Sequence, residues 1–277
     1  MKNTVIITGA SSGIGKATAL YLAQAGCRVY AGIRNDTDKN QLLRESSGDL
    51  TPLLLDVTDN SSIDQAFDLV RKNYEKSAIC LVNNAGLSLN GPLELLPIQD
   101  IETLVNVNVL GLLAVTRKFL PLIRETRGRV VNISSGHGLI AIPDKSVYAA
   151  SKFAVRAITD SLRLELKPFH VEVSEIVVGK VNTNVLGKIL EGRKQMIKQA
   201  DSDVFELYRE LIEYFDREVK NIPGIEAHEV ARVISRALLD YRPKIRYLVG
   251  PGARKMKVLS RFPAKMKDAM LYKAIHR

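Results

Sequence analysis

The sequence predicts a single α/β domain: a doubly wound, seven-stranded parallel sheet with helices on both faces. Short, apolar, β-branched runs recur along the chain, each of a length that fills a buried strand. Between them lie longer segments whose apolar residues repeat at helical spacing. The first run passes at once into a glycine-rich turn and a helix, the order in which a parallel sheet meets a phosphate group at its carboxyl edge.

Residues 4–8, Thr-Val-Ile-Ile-Thr, read as the first strand. Gly9-Ala10-Ser11-Ser12-Gly13-Ile14-Gly15 follows, then a helix over 16–25 that Gly26 stops. Glycines there allow a tight turn and close backbone approach, so Gly9, Ser11, Ser12, Gly13, Ile14 and Gly15 would present amides to a pyrophosphate. The alternative is a glycine turn with no phosphate partner. The second strand, 28–32, runs into Ile33-Arg34-Asn35. An acid near this position would bind a ribose 2′-hydroxyl, whereas Arg34 accommodates a 2′-phosphate, so NADP is the expected cofactor; a solvated loop charge is the competing reading.

The third strand, 51–55, ends in Asp56-Val57, and Asp59-Asn60-Ser61 cap a helix running to about residue 75. The fourth, 78–82, leads into Asn83-Asn84-Ala85-Gly86, small residues and amides where open α/β sheets bind ligands. A long helix over 99–124 carries Asn108 in an apolar segment, where a buried amide needs partners. The fifth strand, 129–133, delivers Ser134 and Ser135, and the sixth, 171–177, runs into Val178-Gly179-Lys180-Val181-Asn182-Thr183. A helix over 227–241 and a strand over 245–249 complete the pattern.

The densest chemistry lies between Ser135 and Lys152. From Ser146 onward the pattern is helical, which sets Tyr148 and Lys152 four residues apart on one face. A phenol loses its proton near pH ~10, and a cation held beside it favours the phenolate, fitting Tyr148 for acid/base work. Ser135 would hold a substrate oxygen beside that phenol. The alternative is that one Tyr-x-x-x-Lys among nine tyrosines falls on a solvated helix by chance.

With 277 residues, 25% charged and 46% apolar, the composition is that of a soluble globular chain and excludes a fibrous or disordered one. Cys27 and Cys80 each lie at the start of a predicted strand without metal-ligand spacing, so no metal site is expected, and both read as buried thiols in a reducing compartment. The N-terminal apolar run is too short for a signal peptide, and no uninterrupted apolar stretch reaches ~18 residues, which makes the expectation cytoplasmic. The formal charge of +10 belongs to the tail: from Arg242 to Arg277 there are eleven Lys/Arg and one acid, Asp268. Tryptophan is absent and the tail aromatics are Tyr247, Phe262 and Tyr272, a poor stacking platform, so no nucleic-acid partner is expected.

Four motifs in order, Thr8 to Gly15, Asn83 to Gly86, Ser135 with Tyr148 and Lys152, and the Gly179 to Thr183 loop, resemble the short-chain dehydrogenase/reductase family over about residues 3–183. The thirteen-residue step from Ser135 to Tyr148 matches the family and selects Ser135 over Ser134. Residues 118–123, 128–135 and 244–247 look most like the branch holding retinol, hydroxysteroid and 3-hydroxybutyrate dehydrogenases. The resemblance implies a Rossmann fold and reversible hydride transfer between NADP(H) and an alcohol and its ketone or aldehyde. It assigns catalysis to Asn108, Ser135, Tyr148 and Lys152. Ser135 orients the carbonyl, Tyr148 carries the proton, Lys152 lowers the tyrosine pKa and holds the nicotinamide ribose, and Asn108 keeps a water in the proton path. Asp56 and Val57 would flank the adenine, Asn83, Ala85 and Gly86 would line the cofactor, and Val181 and Thr183 would contact the nicotinamide amide. The family's Pro-Gly before that last loop reads Val178-Gly179 here, and a homo-oligomer is the expected assembly.

By the same resemblance, residues 184–222 close the substrate pocket. Residues 203–220 read as one helix with Val204, Tyr208, Leu211 and Phe215 on a stripe. Together with Ile140, Ile142, Val185 and Leu186 it would build a pocket with few polar groups over Ser135, Tyr148 and Gly179, suited to a steroid, retinoid or acyl chain. The alternatives are a short polar keto substrate and a non-catalytic NADP-binding regulator. The expected organisation is a catalytic domain over 1–249 and a basic amphipathic tail over 250–277. That tail either makes a peripheral membrane contact or packs over the pocket of its own subunit.

Overall fold

The apolar runs pair side by side in the computed structural model, which describes residues 3–74, 77–183 and 185–276. In chain order the elements are β1 (Thr4–Ile7), α1 (Gly13–Gln24), β2 (Arg28–Ile33), α2 (Asp36–Glu45), β3 (Leu50–Leu54), α3 (Asn60–Asn73), β4 (Ile79–Asn83), α4 (Ile98–Val105), α5 (Leu112–Glu125), β5 (Arg129–Ser135) and α6 (Ser146–Leu166). After them come β6 (Glu172–Val178), β7 (Val181–Asn182), α7 (Val185–Gln199), α8 (Ser202–Asn221), β8 (Ile225–Glu226), α9 (Ala227–Leu239), β9 (Arg246–Val249), α10 (Pro251–Leu259) and α11 (Ala264–Ile275). Seven strands form one parallel sheet in the order β3-β2-β1-β4-β5-β6-β9.

Alternation along β1 shows why both faces need helices. Val5 and Ile7 point into one core with α1 and α9, while Ile6 points into the other with Phe67 of α3 and Phe119 of α5. All three side chains are fully buried, each stabilising the fold by about 1.5–3 kcal/mol. Ala19, Leu22 and Ala23 of α1 meet Val230, Ile234 and Ala237 of α9, and the alanines let the two helices approach closely.

Strand ends agree with the sequence reading to within two residues, but four features differ. Asn35 caps α2 by accepting from the Asp38 amide, with Asp36 and Asp38 at the positive end of that helix. The long helix over 98–125 is interrupted by a π-turn, Asn106 to Gly111. Gly111, at the end of that turn, packs against Val57, where a Cβ would fall 2.6 Å from Val57 Cγ2. The helix expected over 203–220 is present as α8, and the segment before it adds a further helix, α7, with β7 and β8 forming a small parallel pair. Finally, Ile98 to Glu125 is long and apolar enough to span a membrane by length and composition, with mean hydropathy 1.3. Here its inward residues, Val115, Phe119 and Ile123, lie in the core beneath the sheet.

Candidate active site

The turn after β1 is shaped by glycine. Gly9 and Gly13 adopt φ of +66° and +54°, and a Cβ on Gly15 would lie 2.2 Å from the Gly9 carbonyl oxygen. Ser12, at the start of α1, makes no side-chain cap hydrogen bond, so the first-turn amides of a twelve-residue helix are left for an outside acceptor. Ser11 and Ile14 are partly exposed beside it. Thr8 Oγ1 accepts from the amides of Asn84 (3.0 Å) and Ala85 (2.9 Å), and Asn84 Nδ2 donates to the carbonyls of Thr8 and Gly9. The cradle is therefore stitched to the loop after β4. Thr183 leans over it, with Cγ2 3.3 Å from the position of a Cβ on Gly13, and Val181 lies in β7 just before. A tight glycine turn whose backbone packs too closely for side chains, leading into a helix start with no side-chain cap, fits a dinucleotide pyrophosphate.

Arg34 is exposed immediately after β2 and faces Asp56. Burial pushes the Asp56 carboxyl up, but hydrogen bonds from Thr58 and the Arg34 charge outweigh it and leave its pKa below the ordinary value. Val57 sends its side chain into the core, so only its backbone is offered to a ligand.

Tyr148 and Lys152 do share a face of α6, and the Ser135 hydroxyl at the end of β5, which accepts from the His137 amide at 3.3 Å, lies close enough to the Tyr148 phenol to oppose the rise of its pKa. Lys152 Nζ donates to the Ile133 carbonyl at 3.1 Å and stands 5.8 Å from the Tyr148 ring centre. Asn108 sits in the π-turn, where its amide donates to the Leu87 carbonyl (2.9 Å) and Ser151 Oγ (3.0 Å) and accepts from the Leu87 amide (2.7 Å). Gly86 lies between them: a Cβ there would be 3.3 Å from Asn108 Oδ1 and 3.6 Å from Lys152 Nζ. Four residues from three distant stretches thus converge at the carboxyl edge of the sheet.

The expected lowering of the Tyr148 pKa is corrected by this geometry. Burial raises it, and the nearby Ser135 hydroxyl only partly opposes that. Lys152 is itself pushed down to about 8 by burial. At neutral pH Tyr148 is therefore a protonated phenol, poised to donate.

Other expectations are also revised. Asn83 does not face the cradle: its amide donates to Thr116 Oγ1 and Asn132 Oδ1, both at 2.8 Å, inside the sheet. A Cβ on Gly179 would come 3.1 Å from the Ala253 amide, so that glycine serves the approach of α10 rather than opening to a substrate. Ile142 is partly exposed and Ile140 buried, both on the loop before α6. Asn184 and the side chains of Val185 and Leu186 lie outside what is described.

Polar groups also gather near Tyr148. His137, two residues after Ser135, stacks edge-on against Tyr148 at 5.8 Å and has a buried Nδ1 without a hydrogen-bond partner. Asp144 and Lys145 precede α6 and are both buried, Asp144 with φ of +67°. Arg193 of α7 reaches Asp144 at 2.6 Å and Asp216 of α8 at 3.2 Å, tying α7 and α8 to the loop before α6. Leu95, Leu96, Met196 and Ile212 form the apolar part of that contact, with Leu89 and Val147 beside them. The tail packs on the loop after β5 and on β6. Ala253 is buried against Leu139 and Val177, and Met256 Sδ occupies the space beside Gly136. In α11, Ile275 is buried, and His276 Nδ1, just beyond the helix, lies 3.1 Å from Glu210 of α8.

The short chain dehydrogenase family model matches residues 3–194. Among curated relatives, the mouse protein "Short-chain dehydrogenase/reductase family 9C member 7" is 35% identical over 99% of this chain and 90% of its own length. Mouse "Retinol dehydrogenase 7" is 34% identical over 97% and 87%. The "NADPH-dependent 3-dehydrocapnine reductase" of Ornithobacterium rhinotracheale is 32% identical over 98% and 97%. A short-chain dehydrogenase structure from Streptomyces avermitilis superposes with a TM-score of 0.77 at 26% identity, covering 100% of this chain and 96% of that one. The chain belongs to the short-chain dehydrogenase/reductase family, on its retinol-dehydrogenase-like side, and is an oxidoreductase with the family's seven-stranded fold.

Proposed function

We propose that the protein reduces a ketone to its secondary alcohol with NADPH, and that the ketone carries an apolar chain. The observation that carries this reading is the convergence of Ser135, Tyr148, Lys152 and Asn108 at the carboxyl edge of the sheet, with the Tyr148 phenol protonated at neutral pH and so able to donate. When bound, the nicotinamide supplies the hydride. The chain's own residues supply the rest. Gly9, Ser11, Ser12, Gly13, Ile14 and Gly15 cradle the pyrophosphate, Arg34 faces the 2′-phosphate, and Asp56, Ala85, Gly86, Val181 and Thr183 complete the dinucleotide groove. Ser135 holds the carbonyl oxygen, Tyr148 gives it a proton, and Lys152 steadies the ribose while Asn108 orders the path behind it. An apolar chain is supported by the likeness to mouse "Retinol dehydrogenase 7".

NADPH use is supported by Arg34 at the end of β2 and by the NADPH-dependent relative. We further read the protein as cytoplasmic, self-associating through the exposed Leu110, Leu113, Phe153 and Leu164 of the α4–α6 face, and touching anionic membrane surfaces through α11. The direct test is oxidation of NADPH and of NADH against a panel of ketones of increasing chain length. NADPH-linked turnover that rises with chain length is expected. Arg34→Asp should erase the preference for NADPH by replacing attraction with repulsion. Unchanged NADPH affinity in that variant would make Arg34 a bystander.

A further inference from the structure

We propose that Arg193 of α7 is a positioning residue for Tyr148: by binding Asp144 it fixes the point at which α6 begins, so the tyrosine is correctly placed only while α7 and α8 are docked. The proposal rests on the ketone-reductase reading and adds to it the means by which docking of α7 and α8 regulates the proton donor.

Tyr148 is the third residue of α6, so its side chain goes where the first turn of that helix directs it. Nothing local decides where the turn begins, because Lys145 at the N-cap makes no side-chain cap hydrogen bond. The start is set by contacts from elsewhere. Asp144 is held at φ of +67°, a left-handed conformation that costs free energy in any residue but glycine. Its carbonyl accepts from the Gly91 amide at 3.0 Å, and the next carbonyl, that of Lys145, accepts from the Ala149 amide at 2.7 Å and opens the helix. The Asp144 carboxylate accepts from Arg193 Nη2 at 2.6 Å. Val147, beside Tyr148 in the chain, packs against a cluster that includes Met196 of α7 and Ile212 of α8. An ionic contact and an apolar one thus reach the first turn of α6 from α7 and α8.

The charges here balance. Lys145 and Arg193 answer Asp144 and Asp216, with Lys145 3.8 Å from Asp144 and Arg193 Nε 3.2 Å from Asp216. Burial pushes the Asp144 carboxyl up, and the Arg193 hydrogen bond and charge oppose it. The Asp144 side chain has no exposed surface, so without Arg193 its only counterion would be Lys145, beyond hydrogen-bond reach. Such an anion takes a proton or turns out to water, and turning out releases the left-handed residue that starts α6. The two arms of Arg193 differ in what they hold. The Asp144 arm ends on the chain that becomes the catalytic helix, whereas the Asp216 arm joins α7 to α8 and ends on a side chain 35% exposed. That difference separates positioning from plain anchorage.

Two measurements on the whole enzyme test this. The first compares NADPH-linked turnover of the ketone best used by the wild type in Arg193→Gln, Arg193→Lys and Asp216→Asn. Arg193→Gln should lower kcat by about tenfold or more and change KM less, since a displacement of about 1 Å at a reacting group costs up to ~100-fold. Arg193→Lys keeps the charge and should recover most of that loss, and Asp216→Asn should stay within about twofold of the wild-type kcat. If Arg193→Gln does not fold, Asp144→Asn replaces it, keeping a residue that tolerates the left-handed backbone, and the same split is expected. A raised KM with kcat intact, or an equal fall of kcat in Asp216→Asn, makes Arg193 an anchor of α7 alone and overturns the proposal. The second measurement needs no turnover. The His137 ring stands edge-on to Tyr148 at 5.8 Å, so its proton NMR signals, assigned with His137→Gln, report where the tyrosine ring sits. They should shift in Arg193→Gln and hold in Asp216→Asn, with His228 of α9 as the internal reference. Unmoved His137 signals in Arg193→Gln reject the proposal. If no ketone is turned over by the wild type, the reductase reading fails, and the His137 signals still decide whether Arg193 places the tyrosine.

Discussion

In the proposed mechanism Tyr148 and Ser135 act as one unit, and the part of Tyr148 in it is measurable. Tyr148→Phe keeps the ring, its contact with His137 and the packing of α6, and removes only the transferable proton. It should lower kcat by ~10²-fold or more while NADPH binding stays within about twofold, a split that stopped-flow turnover and fluorescence titration resolve. Lys152 gives a stability prediction. Its folded pKa of about 8 lies below the ordinary 10.5, so between those values the unfolded chain binds the extra proton and stability rises with pH. The separation corresponds to something on the order of 3 kcal/mol. Melting curves of Lys152→Met from pH 8 to pH 10 should accordingly show a smaller rise than the wild type. The proton carrier and its lysine were legible because α6 brings i and i+4 together by local geometry alone. His137, Lys145 and Arg193 were not, since Asp144 and Arg193 meet across 49 residues and nothing local announces the pair.

At the scale of elements, most strands declared themselves through β-branched runs that only a two-faced sheet can bury. The lid did not. Tyr208, Leu211 and Phe215 mark α8, but α7 hides its inward residues, Arg193 and Met196, among charges that read as a solvated face. The π-turn was equally hidden, because Asn106 to Gly111 continue the apolar helical pattern on either side of it without a local break. The tail answers part of its own question: α10 packs on Leu139, Val177 and Gly136, whereas Met266, Met270 and Tyr272 of α11 remain exposed beside Lys265, Lys267 and Lys273. Such a face suits an anionic bilayer surface, each cation contributing ~1 kcal/mol at low salt. The protein should cosediment with phosphatidylserine vesicles at low ionic strength and be released at high salt. Replacing the three lysines by glutamate should abolish the binding without disturbing α10. Equal sedimentation of both proteins would leave α11 a lid support only.

For the whole molecule, the α4–α6 face carries the largest test of assembly. Leu110 and Leu164 are more than half exposed, an arrangement that a second copy would cover. Leu110→Lys combined with Leu164→Lys should therefore shift the mass measured by light scattering towards a monomer, and an unchanged mass would remove this face as the interface. The packing of α1 against α9 has a consequence in time as well as in space. Roughly two hundred residues separate the two helices, so at ribosomal rates the apolar side of α1 stays uncovered for about 10 to 40 s after it is made. During that interval β1 also lacks β4, its inner neighbour, until residue 83 has emerged. The nascent chain is thus a client for chaperones by topology, and slowed synthesis between residues 24 and 227 should raise its aggregation more than any delay after β9 is complete.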